Sequence, residues 1–215
     1  AVREALPGLL QKTKIVRISW RAKDRDTPEV MVEKEPFQTQ FGKIRVNLPP
    51  MAFMQPTKEG EKALVSAVMD VMPKSGKFAD LFSGCGTFTG AMLERGSVDA
   101  YESVDPAIRA LDKAKGPLPL KVYRRDLFRN PLRREEANRY DAIVFDPPRA
   151  GAQELVKSIA SGRTPVLIGV SCNPATFARD ARILVDGGYR LENVRIIDQF
   201  TWSHHVELVA LFTKR

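Results

Sequence analysis

Short apolar runs alternate with stretches of helical periodicity along the second half of the chain. Five such runs lie at residues 78–82, 98–104, 122–123, 142–145 and 166–170. Two further runs, at residues 191–197 and 206–212, follow without a helical stretch between them, so they are predicted to pair as antiparallel strands. Alternation of strand-like and helix-like segments is typical of crossover units in a largely parallel sheet. The pattern therefore predicts a Rossmann-like α/β fold with helices on both faces of the sheet.

The first 50 residues show a different pattern. Alternating or β-rich runs lie at residues 14–18, 29–32 and 43–46. Asp/Pro and Phe-Gly breaks separate these runs, which predicts hairpin strands. Pro49 and Pro50 end this part, and Thr57 can cap a helix whose apolar residues recur at helical spacing. We expect a β-rich segment over residues 1–50, part of a truncated central domain, and a main domain over residues 51–215.

Composition narrows the class of protein. With 43% hydrophobic residues among 215, the chain can bury one sizeable core but is short for two full domains. A formal charge of +8 favours a polyanionic partner, although a merely solvated basic surface fits the charge equally well. Cys85 and Cys172 lie far apart and offer neither a disulfide framework nor a C-x-x-C metal pair, and no apolar run approaches the roughly 20 residues that span a bilayer. We expect a cytoplasmic protein without membrane contact; nothing here predicts an oligomeric state.

A glycine loop follows the first buried run of the main domain. Residues 80–87 read Asp-Leu-Phe-Ser-Gly-Cys-Gly-Thr, and Gly84 lies where backbone can approach a ligand, although a tight turn without a ligand fits equally well. Glu102 ends the next strand about 20 residues later, the spacing at which a carboxylate accepts ribose hydroxyls. No third loop glycine or Gly-Lys-Ser/Thr follows, which favours adenosylmethionine over a dinucleotide or triphosphate. Asp126, after the third strand, is a candidate for the adenine amino group.

Two more strand ends carry reactive side chains. Residues 146–151 form a proline-stiffened loop in which Asp146 and Arg149 can bind a base and a phosphate, whereas the alternative is a plain turn. Cys172 ends the fifth strand before a predicted helix start, which we expect to lower the thiol pKa. A buried structural thiol is the alternative.

Glu207 lies in the last strand, just after residues 202–205. An acid at the end of a buried strand suits proton transfer, whereas a solvent-facing strand residue is the alternative. His204 and His205 are adjacent, but neighbouring strand positions face opposite ways and no third ligand is apparent. We predict no metal site.

Four segments together resemble the RNA uracil-5-methyltransferase family in order and spacing. They are residues 78–89, 146–151, 171–180 and 205–207. The resemblance covers residues 36–215, and Ser-Cys-Asn-Pro-Ala-Thr at residues 171–176 is its most specific part. It implies a class I methyltransferase sheet, adenosylmethionine as cofactor, and transfer of a methyl group to C5 of a uridine in tRNA or rRNA through a covalent adduct with the enzyme.

The family also implies roles for individual residues. Cys172 is expected to be the nucleophile that attacks C6 of uracil, and Glu207 the base that removes the C5 proton. Asp146 is expected to contact the cofactor, and Asp146 or a donor near it is expected to hold the uracil edge. Arg149 is expected to hold the neighbouring RNA backbone. Together with Gly84 of the glycine loop, the residues expected around adenosylmethionine are Gln55, Phe82, Thr87, Glu102, Asp126 and Asp146.

The sequence departs from the family in two respects. Its glycine loop has Ser83 and Thr87 where members often have cysteine and asparagine, so contacts to the methionine moiety are expected to differ. The family's N-terminal RNA-binding β-barrel and iron–sulfur cysteine cluster have no counterpart in these 215 residues. We therefore expect a fragment with incomplete RNA affinity.

Three other functions compete with uracil methylation. An RNA cytosine-5 methyltransferase would carry another cysteine after Asp-x-Pro, where this chain has Pro148 and Arg149. An amino-group methyltransferase would carry a stacking aromatic residue in place of Arg149 and would not need Cys172. A noncatalytic RNA-binding module with a methyltransferase fold would not need to keep both the thiol and the acid.

Overall fold

One helix and two hairpins form the amino-terminal part of the computed structural model, which describes residues 2–23, 27–200, 202–203 and 205–214. The helix is α1 (Val2–Lys12), and the hairpins pair β1 (Arg17–Trp20) with β2 (Glu29–Glu33) and β3 (Gln38–Phe41) with β4 (Ile44–Asn47). The predicted runs are confirmed as β1, β2 and β4. Sequence patterning predicts neither β3, which is mostly polar, nor α1, because Pro7 lies inside that helix.

Seven strands form one sheet in the rest of the chain. They are β5 (Gly76–Leu81), β6 (Gly96–Glu102), β7 (Leu120–Arg124), β8 (Ala142–Phe145), β9 (Val166–Ser171), β10 (Arg190–Ile197) and β11 (Glu207–Thr213). Their spatial order is β10-β11-β9-β8-β5-β6-β7. The strands from β5 to β9 run parallel, whereas β11 lies antiparallel between β9 and β10. The predicted parallel sheet and the antiparallel closing pair are both confirmed.

Helices cover both faces of this sheet. They are α2 (Lys58–Val71), α3 (Thr87–Met92), α4 (Asp105–Ala114), α5 (Arg134–Ala137), α6 (Gln153–Ala160) and α7 (Pro174–Asp186). Because successive strand residues face opposite sides, Phe78 packs with α2, α3 and α4, while Ala79 packs with α6 and α7. Thr57 caps α2 as predicted. In the described part of the chain, no helix is long and apolar enough to cross a bilayer.

Hairpin β3–β4 shares its core with the sheet. Phe41, Ile44 and Val46 are buried in the same cluster as Phe78. Gly90 in α3 lets the hairpin approach closely, because a Cβ there would lie 2.0 Å from the Phe41 carbonyl oxygen. Since residues on both sides of position 50 share one core, the division of the chain at that position stays a prediction.

The carboxyl ends of the central strands meet at one edge of the sheet. β5, β8 and β9 lie side by side, so the loops that follow them, beginning at Phe82, Asp146 and Cys172, are close together. β11 runs in the opposite direction and begins at this edge with Glu207. Residues far apart in sequence are thereby collected where open α/β sheets bind ligands.

Candidate active site

A cavity of about 360 Å³ opens at the carboxyl edge of the sheet. It lies between the glycine loop after β5, the end of β6 and the segment that precedes α2. Most residues predicted to surround a cofactor line it. These are Gln55, Phe82, Gly84, Thr87, Glu102 and Asp146.

The glycine loop folds back on itself to shape one wall of this cavity. Phe82, Gly84 and Gly86 have φ angles of 62°, 54° and 99°, in the left-handed region that favours glycine. A Cβ at Gly84 would meet no atom within 4 Å, whereas one at Gly86 would lie 2.7 Å from the Leu111 side chain. Gly84 is therefore the loop position with room for a ligand beside the backbone.

Backbone amides hold the Glu102 carboxylate at the cavity. Gly84 N donates to Oε2 at 2.9 Å, and Ser103 N and Val104 N donate to Oε1 at 2.6 and 2.9 Å. Three charge-assisted hydrogen bonds fix the side chain and occupy Oε1, but they leave a lone pair free on Oε2. Glu102 is thus a rigid acceptor at the end of β6, as the sequence predicts.

Ser83 presents an unsatisfied hydroxyl in the same wall. The side chain is only 6% exposed, and its Oγ has no hydrogen-bond partner within the structure. A buried polar group without a partner costs free energy, about 1–3 kcal/mol. The cavity therefore offers an unused polar contact to any ligand that enters it.

Two acids lie at the cavity: Asp80 is fully buried behind it, and Asp146 is half-buried in its lining. Burial raises the pKa of Asp80 to about 7, although Thr89 donates a hydrogen bond to it at 2.5 Å. Burial also raises the pKa of Asp146 to about 8, and the charges of Glu207 and Asp80 add to that effect. Much of the Asp146 population is therefore protonated at neutral pH, and a protonated carboxyl group can donate a hydrogen bond.

Cys172 lies beside a second cavity of about 200 Å³. Arg149 donates a hydrogen bond to its sulfur, and the Arg149 carbonyl accepts hydrogen bonds from Asn173 Nδ2 at 3.0 Å and Thr176 Oγ1 at 3.1 Å. Arg149 Nη2 also lies 3.1 Å from His205 Nδ1. Arg149 is therefore anchored against the start of α7 with its cationic end at the thiol.

The expected lowering of the Cys172 pKa is wrong. Burial raises the pKa of this thiol, and the nearby carboxylates of Glu207 and Asp146 raise it further. The hydrogen bond and charge of Arg149 act in the opposite direction but do not outweigh them. The predicted helix start is confirmed at Pro174, with Asn173 as its cap. Burial and the nearby acids nevertheless make the net shift of the thiol pKa an upward one.

The two cysteines differ in environment. Cys85 is buried, and burial together with the Glu102 charge raises its pKa to about 11. Cys172 is only half-buried and faces an opening at the surface. Because a thiolate is the reactive form, Cys172 is the better placed nucleophile.

Glu207 is buried at the start of β11, with only 5% of its surface exposed. The alternative of a solvent-facing strand residue is therefore excluded. Burial raises the pKa of its carboxyl group, while a hydrogen bond from Gln199 and the charge of Arg149 oppose the shift. Glu207 can thus accept a proton at a pH closer to neutrality than an exposed glutamate could.

No group of three or more His, Cys, Asp or Glu side chains that could hold a metal ion occurs in the described ranges. His204, one of the two adjacent histidines, lies outside those ranges. His205 contacts Arg149 instead.

Comparison with known proteins decides the family. Residues 124–215 match the model of the tRNA (uracil-5-)-methyltransferase family. An uncharacterized RNA methyltransferase of Brucella melitensis is 43% identical over 99% of this chain and 51% of its own length. The 23S rRNA (uracil(1939)-C(5))-methyltransferase RlmD of Alteromonas naphthalenivorans is 34% identical over 77% of this chain and 37% of its own.

The chain belongs to the RNA uracil-5-methyltransferase family. A crystal structure of the Pyrococcus abyssi tRNA (uracil-54, C5)-methyltransferase in complex with S-adenosyl-L-homocysteine superposes with a TM-score of 0.78 and 26% identity, covering 95% of this chain and 52% of that one. The chain spans about half the length of the curated relatives that it matches.

One residue predicted from the uracil-5-methyltransferase resemblance lies apart from the others. Asp126 is outside the lining of the larger cavity. Its Oδ1 accepts hydrogen bonds from the backbone of Phe128 at 3.0 Å and Arg129 at 3.2 Å, and its Oδ2 is 3.6 Å from the Arg129 guanidinium. Asp126 shapes its own turn, and its contact with adenine stays a prediction.

One residue at this site escapes sequence reasoning. Gln199 hydrogen-bonds Gln55 across 144 positions of sequence, and no local pattern marks such a contact. It becomes visible only when the segments meet at the sheet edge. Ser83, by contrast, is a position at which the sequence predicts changed contacts, and it lies in the cavity lining.

Proposed function

We propose that this chain is the catalytic part of an S-adenosylmethionine-dependent RNA methyltransferase that methylates C5 of a uridine in tRNA or rRNA. The observation that carries the proposal is the meeting of a half-buried thiol, Cys172, with a buried carboxyl group, Glu207, at the sheet edge where Ser171 pairs with Leu208. Methylation of uracil C5 needs both a nucleophile and a base. Family membership supports the same chemistry.

The proposal assigns residues 51–215 to the catalytic domain and residues 1–50 to the remainder of a central domain. RNA is the expected partner, in keeping with the formal charge of +8. Both cysteines are free thiols, which fits the expected cytoplasmic location.

The cavity beside the glycine loop suits adenosylmethionine. Glu102 Oε2 has a lone pair left for a ribose hydroxyl, and the Ser83 hydroxyl would gain the partner that it lacks. When bound, adenosylmethionine supplies a methyl group on a positively charged sulfur. The other residues proposed to hold it are Gln55, Phe82, Gly84, Thr87, Asp126 and Asp146.

Cys172 begins the reaction by attacking C6 of the uracil. Its thiol first loses its proton to solvent through the adjoining opening, and Arg149, which donates to the sulfur, stabilises the thiolate. Formation of the Sγ–C6 bond breaks the C5–C6 double bond and places the electron pair on an enolate that extends to C5. A protonated Asp146 can donate to the uracil edge and stabilise that enolate. C5 becomes nucleophilic enough to form a bond to the methyl group. The S–CH3 bond of bound adenosylmethionine would break in that step, which would leave adenosylhomocysteine.

Glu207 completes the reaction. After methylation, C5 carries both a methyl group and a proton. Glu207 takes that proton, the electron pair restores the C5–C6 double bond, and the Cys172 thiolate leaves C6. Arg149, exposed beside the thiol, is proposed to hold the neighbouring RNA phosphate.

Removing Glu102 is expected to weaken binding of adenosylhomocysteine by about 10- to 100-fold, because a charged acceptor of a ribose hydroxyl is lost. Asp126→Ala should cost less, since its carboxylate is engaged in its own turn. Titration calorimetry on Glu102→Ala and Asp126→Ala measures both losses. A larger loss in the Asp126 variant would contradict the arrangement proposed for the cavity.

The function is tested by incubating the protein with methyl-labelled adenosylmethionine and separate tRNA and rRNA transcripts, followed by nucleoside analysis. Labelled 5-methyluridine is the expected product. Labelled 5-methylcytidine would replace the proposal with the cytosine enzyme. Absence of labelled nucleoside from both RNAs, in a protein that binds adenosylhomocysteine and RNA, would favour the noncatalytic module.

A further inference from the structure

One buried amide joins the two halves of the site. Gln199 lies in the segment between β10 and β11 and is only 9% exposed. Its Nε2 donates to Gln55 Oε1 at 2.7 Å. A hydrogen bond from the Gln199 side chain also opposes the rise that burial causes in the pKa of Glu207. Gln55 lines the cofactor cavity, and Glu207 is the proposed base. A single side chain therefore contacts a residue from each half.

The orientation of this amide follows from its partners. An ionised Glu207 carboxylate can only accept, so the nitrogen end of Gln199 faces it and uses its second hydrogen for Gln55 Oε1. The other end, Oε1, is buried without a hydrogen-bond partner. An unpaired buried carbonyl oxygen is unfavourable, so the two donated bonds must outweigh that cost in this orientation.

Helix α2 is shaped to admit this side chain. A Cβ at Gly60, in the first turn of α2, would lie 1.9 Å from Gln199 Oε1 and 2.8 Å from Gln199 Cβ. Glycine is a poor helix residue, so its presence in a buried first turn fits a steric requirement. Gly60 provides the space in which Gln199 reaches both partners.

We propose that Gln199 is a positioning residue that couples the cofactor cavity to the proton-removing base. By occupying Gln55 Oε1, it leaves the Gln55 amide nitrogen as the end available to an anionic group of the cofactor. By donating to Glu207, it fixes the carboxylate for removal of the C5 proton. This inference rests on the proposed function.

The first test is a double-mutant cycle on binding of adenosylhomocysteine, which requires no RNA chemistry. Gln199→Met keeps the length of the side chain but donates no hydrogen bond. We expect it to weaken binding roughly three- to tenfold. In a Gln55→Ala background the same change should cost almost nothing, because Gln199 acts through Gln55. Equal losses in both backgrounds, or no loss in either, would overturn the inference.

The second test measures how turnover depends on pH. Loss of a residue with a merely structural role would not shift that dependence. Glu207 faces Arg149, Asp146 and Cys172 besides Gln199. Since the Gln199 hydrogen bond lowers the Glu207 pKa, its removal leaves that pKa higher. The rising limb of turnover against pH should therefore move to higher pH in Gln199→Met and stay in place in Gln55→Ala. An unmoved limb in Gln199→Met would overturn the coupling to Glu207.

Gly60→Ala tests the same geometry without removing a polar group. The added methyl should displace Gln199 and reproduce both the weaker binding and the shifted pH limb. The matched control is Gly8→Ala in α1, where a Cβ would meet nothing within 4 Å, and it should change neither. Unchanged binding and pH dependence in a folded Gly60→Ala protein would contradict the inference.

The two proposals fail differently. If the protein binds adenosylhomocysteine with the predicted non-additivity but methylates no uridine, the proposed function fails and the contact between Gln199 and Gln55 stands. If 5-methyluridine forms but Gln199 and Gln55 act additively, only the positioning role fails.

Discussion

A Cys172→Ala variant is expected to lose methyl transfer to RNA by roughly 10⁴-fold or more, as is typical when a covalent nucleophile is removed. Without the sulfur, no bond forms at C6, and C5 stays too weak a nucleophile to accept the methyl group. Binding of adenosylhomocysteine should be retained, because Cys172 lines the smaller cavity rather than the larger one. Rates of label incorporation and calorimetry measure the two quantities.

Cys85→Ala is the matched control for this loss. Cys85 is buried and its raised pKa of about 11 keeps it protonated, so this variant should still transfer the methyl group, within about tenfold of the original rate. Comparable loss in both variants would mean that Cys172 has no special chemical role. Near-normal methyl transfer by Cys172→Ala would exclude the covalent mechanism.

Glu207→Gln is expected to slow turnover by about 10²- to 10⁴-fold and to accumulate RNA joined to the protein. The amide keeps the shape of the side chain but accepts no proton. Cys172 can still attack and C5 can still be methylated, whereas the C5 proton stays and the sulfur cannot leave. A denaturing gel with ordinary uridine-containing RNA should therefore show a methyl-labelled adduct. If the variant is slow but accumulates no adduct, Glu207 is not the base that removes the C5 proton.

The same residue sets the expected pH dependence. Burial raises the pKa of Glu207, and only the ionised carboxylate accepts the C5 proton. Turnover should rise with pH through that raised pKa, and the thiol of Cys172, whose pKa is also raised, should extend the rise to higher pH. A rate that falls as pH increases from mildly acidic values would contradict both assignments.

The sequence predicts the fold through features that are local. Strand runs, the Thr57 cap and the start of α7 at Pro174 each follow from neighbouring residues, and the parallel arrangement places Asp146 and Cys172 at one edge. Helix α1 was not predicted because Pro7 lies inside it, and proline usually marks a helix boundary. Contacts between segments that are distant in sequence could not be predicted.

The pKa shifts at the site could not be predicted from the local sequence either. A helix start beside Cys172 predicts a lowered thiol pKa, but burial and two carboxyl groups, Asp146 after β8 and Glu207 in β11, raise it instead. Gln199 carries no local signal because its partner Gln55 lies 144 positions away. These pKa shifts and long-range contacts arise from packing between segments, so the spacing of residues along the chain does not predict them.

The most direct test of the account uses RNA containing 5-fluorouridine in place of uridine, incubated with the protein and adenosylmethionine. Fluorine at C5 cannot be removed as a proton, so the reaction should stop after methylation with Cys172 still bonded to C6. The account predicts a methyl-labelled protein–RNA adduct on a denaturing gel, attached at Cys172 by mass spectrometry, present in Cys85→Ala and absent in Cys172→Ala. An adduct attached elsewhere, or none in a protein that binds both adenosylhomocysteine and the RNA, would contradict it.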